Sequence, residues 1–213
     1  MADQELVFYT HPRSRGRIVR WMLEEVGAAY RTVLLEYGGS MKAPEYLALN
    51  PMGKVPALRH GDVVVTEVAA ICAYLADAFA ARGLAPARDS SLRGAYYRWL
   101  FFAAGPLEAA VSNRALGFVV PPERKGMIGY GSYEEALDAL EGAVSSRSPY
   151  LLGEDFSAAD VYVGSHLGFG LRFGTIEKRP AFEAYCALLE QRPARRRADQ
   201  LDDAAAAAAT PRA

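Results

Sequence analysis

The run Asn50-Pro51-Met52-Gly53-Lys54-Val55-Pro56-Ala57-Leu58 restricts what this chain can fold into more than any other stretch. Asn-Pro and Met-Gly are turn signals, and they lead into a β-type segment that carries a proline. Proline lacks an N–H and fixes φ, so at the mouth of a strand it ends the hydrogen-bonded ladder. With a cis bond before Pro56, Val55 turns outward and presents both its N–H and its C=O. A donor–acceptor pair shown in this way holds an extended peptide as an added strand would. A peptide-like ligand at Val55 is therefore the first functional expectation.

Around this run the pattern is that of a small α/β unit. Leu6-Val7-Phe8-Tyr9-Thr10 is apolar, aromatic and β-branched and stops at His11-Pro12, which predicts a buried strand. From Ser14 onward, Ile18, Val19, Met22, Leu23 and Val26 fall at helical spacing, with Gly27 as the stop. Residues 30–35 predict a second strand, hence a right-handed β-α-β crossover. A short helix over 44–49 follows, then a hairpin of 55–59 and 63–66 turning at His60-Gly61-Asp62. Glu67 starts a helix with Ile71, Tyr74, Leu75 and Phe79 on one face.

Residues 1–82 thus form one domain, and 83–91 lack periodicity and read as a linker. Residues 92–200 are predicted to be all-helical, with a kink at Gly105-Pro106. Ser157-Ala158-Ala159-Asp160 has the form of a capping box after the staple residue Phe156. The Ala-rich residues 201–213 are expected to be a disordered tail.

With a net charge of −1, the chain offers no electrostatic case for nucleic acid or an anionic membrane as partner. The start, Met-Ala-Asp-Gln-Glu, lacks the basic and apolar regions of a signal peptide. No apolar run reaches the roughly 18–20 residues of a membrane span. Cys72 and Cys186 lie in apolar helical patterns and are expected as buried free thiols. A cytoplasmic protein is the expectation.

Three motifs stand in order along the chain. They are the Asn50–Leu58 run, Glu67-Val68-Ala69-Ala70-Ile71 with Tyr74-Leu75, and Gly153-Glu154-Asp155-Phe156-Ser157-Ala158-Ala159-Asp160. Together with the layout they resemble the cytosolic glutathione transferases, and the Arg-Ser-Arg-Gly-Arg start of the first helix is closest to bacterial members. The resemblance implies an α/β thioredoxin-like N-terminal domain plus an all-α C-terminal domain. It also implies glutathione as co-substrate, no metal, a small hydrophobic electrophile and a homodimer.

Carried onto this chain, the resemblance gives each part of the tripeptide a partner. The Val55-Pro56 backbone would pair with the cysteinyl unit. Glu67 would meet the ligand's ammonium, and the N–H groups at Val68 its carboxylate. Val68 replaces the hydroxyl residue common in the family, and Met41 falls where relatives carry a His or Gln. Lys54, and less directly Lys42, are the candidates for the glycine carboxylate.

Ser14, at the start of the first helix, is the candidate to stabilise the thiolate, with Arg13 adding positive potential. Its rival role is a plain N-cap. Tyr9 is the alternative hydroxyl, and strand alternation leaves open which face of its strand meets the ligand. His11 reads as a loop residue. Tyr97, Phe101, Phe102, Leu107 and Phe118 are the candidates for an apolar electrophile pocket expected between the domains. Glutathione-dependent disulfide or peroxide reduction, and glutathione binding without turnover, are the competing functions.

Overall fold

The computed structural model describes residues 4–145 and 148–209. The chain divides into two compact units: one runs to Leu84 and resumes at Gln191, and the other is Ala85–Glu190.

In the first unit, β1 (Leu6–Thr10) runs into α1 (Gly16–Val26) and then β2 (Tyr30–Leu34). The short α2 (Pro44–Leu47), the hairpin β3 (Ala57–His60) and β4 (Val63–Thr66), and α3 (Val68–Ala78) follow. The sheet order is β2-β1-β3-β4, with β1 parallel to β2 and antiparallel to β3. This is the expected order of elements.

Strand alternation assigns the two faces. On one face of β1, Arg20 of α1 lies over the Phe8 ring, and a Cβ on Gly16 would meet Thr10 Oγ1. On the other, Tyr9 packs into a cluster of Leu35, Met41, Tyr46 and Ala57. Ile18, Val19, Met22, Leu23 and Val26 are completely buried, as the helical spacing requires. Gly27 ends α1 at φ 67°, where a side chain would be strained, and its N–H bonds the Leu23 carbonyl.

α1 approaches β1 so closely at its first residue that only glycine fits. A Cβ at residue 16 would lie 1.8 Å from Thr10 Oγ1, and Thr10 is itself buried and β-branched. Gly16→Ala is expected to destabilise the unit by about 1–3 kcal/mol, as overpacked cores do. A urea midpoint equal to that of the wild type would refute this.

The end of the chain departs from expectation. Pro193–Ala208 is a helix, α9, and it belongs to the first unit. Residues 201–209 are therefore not a disordered tail, while 210–213 lie outside the described residues. Charges dock α9 on α1. Arg17 bonds Asp199 and Asp203, Arg20 bonds Asp202, and Glu24 pairs with Arg197. Just before α9, Arg192 bonds Glu25, and the Arg195 guanidinium lies over the Trp21 ring. The Arg20–Asp202 pair is the innermost, at 2.7 Å with both side chains almost inaccessible.

The second unit is helical among its described residues. α4 (Arg93–Phe102) and α5 (Glu108–Ala115) are joined by one wide turn, Ala103–Leu107, that holds Pro106. The wider turn accommodates the missing N–H where the sequence predicts a kink. α6 (Tyr133–Val144), α7 (Ala158–Phe173) and α8 (Pro180–Glu190) complete it. The capping box forms at α7: Asp160 accepts from the Ser157 N–H, and Ser157 Oγ accepts from the Ala159 N–H. Asp160 also accepts from Leu151 N–H and Tyr185 Oη, so the buried carboxylate ties the preceding loop and α8 to this helix start.

Candidate active site

The Val55–Pro56 bond is cis. The loop before it is built by side chains that fix its carbonyls. Asn50 is buried, accepts from the Met52 N–H at 3.1 Å and donates to the Lys54 C=O at 2.8 Å. Tyr46 Oη donates to the same carbonyl. Lys42 Nζ donates to the Met52 and Gly53 carbonyls at 3.2 and 3.0 Å. With these groups taken up, Val55 makes no backbone hydrogen bond to another described residue through its N–H or its C=O.

Lys54 is exposed beside it. Lys42, in contrast, spends its ammonium on the loop itself. Met41 is buried in the cluster with Tyr9 and Tyr46, so its position cannot reach a carboxylate in solvent.

Glu67 joins β4 to α3. It is the one described non-glycine residue at positive φ, with φ 65° and ψ 122°. Such a conformation costs of order 1–3 kcal/mol and persists where the surroundings impose it. The carboxylate makes no capping bond to α3 and is exposed. A plain N-cap role thus finds no support. The N–H groups of the first turn of α3, which begins at Val68, are uncommitted by any side-chain cap.

Ser14 lies in the turn between β1 and α1. Its Oγ accepts from the Gly16 N–H at 2.9 Å and donates to the His11 C=O at 2.7 Å. The first bond polarises the hydroxyl at the positive end of α1. The second is one rotation of the O–H away from an anion placed over the helix start. Ser14 Oγ thus takes up the N–H of the first residue of α1 from the turn before it.

Arg13 and Arg15 are exposed in the same turn. Arg17 is held by Asp199 and Asp203, which cancels its charge there. Tyr9 is half-buried, its ring 5.7 Å from that of Tyr46, in the cluster on which Val55 packs. Tyr9 is on the Val55 side of β1, and Thr10 on the α1 side.

Asn50 and Tyr46 hold the Lys54 carbonyl, a support that residue patterns do not reveal. The sequence shows Asn50 only as half of a turn signal, and Tyr46 only as a position within the short helix expected over 44–49. In the second unit, Tyr97, Phe101 and Phe118 are exposed, and Phe102 packs edge-on against Trp99. Leu107 needs correction. It is completely buried in the wide turn before α5 and has no surface for a substrate. A helical stripe in sequence does not separate core from lining.

Comparison with known proteins decides the family. A model described as "Glutathione S-transferase, N-terminal domain" matches residues 14–78. A probable glutathione S-transferase of Oryza sativa subsp. japonica is 30% identical over 180 residues, covering 77% of this chain and 78% of that protein. The chain belongs to the glutathione S-transferase family.

A glutathione transferase from Methylococcus capsulatus superposes with a TM-score of 0.77 at 28% identity, over 93% of this chain and 99% of that one. A sphingomonad glutathione S-transferase solved with glutathione gives 0.74 at 28%, over 92% and 98%. Ser14, Lys42, Lys54, Val55, Pro56, Glu67 and Val68 all fall inside the matched family domain. Tyr9 and Arg13 precede it. Among the described residues, no helix is long and apolar enough to cross a membrane.

Proposed function

We propose that this protein transfers the thiolate of glutathione to apolar electrophiles. The observation that carries the proposal is a Val55 backbone, before Pro56, without a hydrogen-bond partner among the described residues, together with an exposed Glu67 at positive φ that makes no capping bond. Those two features match the cysteinyl backbone and the γ-glutamyl ammonium of one extended tripeptide. The N–H groups of the first turn of α3, Val68 first, receive the γ-glutamyl carboxylate and Lys54 the glycine carboxylate, while Lys42 supports the loop. Ser14 Oγ rotates its O–H from the His11 carbonyl to the sulfur, and the field of Arg13 and the α1 start favours the anion.

With an aryl halide the thiolate forms the C–S bond as the C–halide bond breaks, and the thiol proton passes to solvent. Tyr97, Phe101 and Phe118 are the apolar side chains offered to such a substrate. A homodimer is part of the proposal. Cysteine-dependent thiol transfer lacks its nucleophile, because both cysteines are buried and burial pushes the Cys72 thiol far up.

Retention on immobilised glutathione together with turnover of a generic aryl halide tests the function. Retention without turnover would favour a binding module, and no retention would refute the proposal. Glu67→Ala is expected to weaken glutathione binding about 10- to 100-fold, the range for a hydrogen-bonded charge. Alanine meets the same positive-φ demand as glutamate, so the thermal midpoint should stay put. Unchanged affinity by titration calorimetry would contradict the assignment.

A further inference from the structure

We propose that His11 is the positioning residue of the Ser14 hydroxyl, and that its imidazole must be neutral for the turn between β1 and α1 to hold that hydroxyl in register. The inference rests on the role given to Ser14 above. His11 closes the turn twice. Its carbonyl accepts from the Ser14 N–H at 3.0 Å and from Ser14 Oγ at 2.7 Å. Its ring Nδ1 accepts from the Arg13 N–H at 3.1 Å. One residue therefore anchors Ser14 by its main chain and orients the intervening peptide by its side chain. From the other side, the Tyr37 ring packs on the imidazole with centroids 4.5 Å apart.

An Nδ1 that accepts a hydrogen bond belongs to the neutral tautomer carrying its proton on Nε2. Protonation sets a second N–H against that of Arg13, so the bond is lost and two donors face each other. The groups around the ring are Arg13 from the same turn, and Glu36 and Tyr37 from the segment after β2. Burial first, and the Arg13 charge second, lower the His11 pKa, with Glu36 acting in the opposite direction. A base with a lowered folded pKa contributes its stabilisation fully above its unfolded value, about 6.5. That contribution is lost as pH falls through the lowered folded value. Acid thus loosens the turn that carries Ser14.

The test compares full-length wild type, His11→Leu and His11→Asn. An Asn Oδ1 accepts the N–H two residues on, as in an Asx turn, and does not titrate. Turnover of an aryl halide is followed from acid to neutral pH, and the backbone amide shifts of Arg13 and Ser14 are followed without ligand.

His11→Leu is expected to lower kcat about tenfold with the KM for glutathione little changed, the scale of one hydrogen bond. His11→Asn should recover most of that loss, and towards acid pH it should lose only the activity that follows protonation of the bound thiol, whereas the wild type loses more as the imidazole also protonates. The Arg13 amide should titrate with the imidazole in the wild type and stay fixed in His11→Asn. Full activity in His11→Leu, no rescue by Asn, an acid loss in His11→Asn as large as that of the wild type, or an Arg13 amide that does not titrate would each overturn the inference. Absence of turnover in the wild type strikes the transferase reading instead, and the amide titration still tests the turn.

Discussion

Replacing Ser14 by alanine is expected to cut the turnover of glutathione conjugation about 10- to 100-fold, the range for one hydrogen bond to a charged group. Glutathione affinity should change by less than about threefold, since in the proposed reaction the hydroxyl would meet the sulfur and not the ends of the tripeptide. The reasoning is electrostatic. A thiol of pKa about 8.5 is only a few per cent ionised at neutral pH. Bringing it down by about two units takes about 2.7 kcal/mol of preferential stabilisation of the anion. In the proposed reaction Ser14 Oγ, already polarised by the Gly16 N–H, would supply part of that, and the α1 start with Arg13 the rest. The loss should therefore fall in kcat and be smallest at high pH, where the thiol ionises unaided. Activity within twofold of the wild type across the pH range would move the role to Tyr9 or to the arginines.

Asp202→Ala should produce the largest loss of stability of any single change considered, about 3–5 kcal/mol, because it strands a buried charge. The Arg20 guanidinium would remain enclosed over Phe8 and Tyr30, with the Tyr30 and Thr32 hydroxyls as its hydrogen-bond partners among the described residues. Asp202 is completely inaccessible and is held at 2.7 Å from Arg20 Nε. Burial pushes its carboxyl up against the pull of that guanidinium, which marks how far the pair is removed from water. Exchanging both partners for apolar residues, Arg20→Met with Asp202→Leu, should restore most of the loss, since such pairs offset little more than their own desolvation. The double-mutant cycle is read from urea midpoints. A single variant within about 1 kcal/mol of the wild type would mean that α9 is an ornament of the first unit and not part of its fold.

How much of this was legible in the residues depends on how local each signal is. The Val55-Pro56 turn and the helix start at Glu67 were readable, because proline and a short acid-led helix constrain their own backbone. What Glu67 does with its carboxylate was not readable, since a capping and a non-capping acid have the same sequence. α9 was missed for a different reason. Its alanines carry no apolar periodicity, and its acids look like solvated charges until Arg17 and Arg20 face them across 182 to 186 residues of chain. Leu107 shows the same limit in reverse, as an apolar position that the fold turned inward. His11 offered only a lone histidine after a strand, and its value lies in an Nδ1 contact that no spacing encodes.

The most direct measurement is the ionisation of the glutathione thiol while it is bound, followed by thiolate ultraviolet absorbance against pH in the wild type and in Ser14→Ala. The account predicts that the bound thiol titrates about two units below its free value of about 8.5, and that Ser14→Ala returns it most of the way. A bound thiol that titrates as it does in solution, or a low value that survives the loss of Ser14, would contradict it.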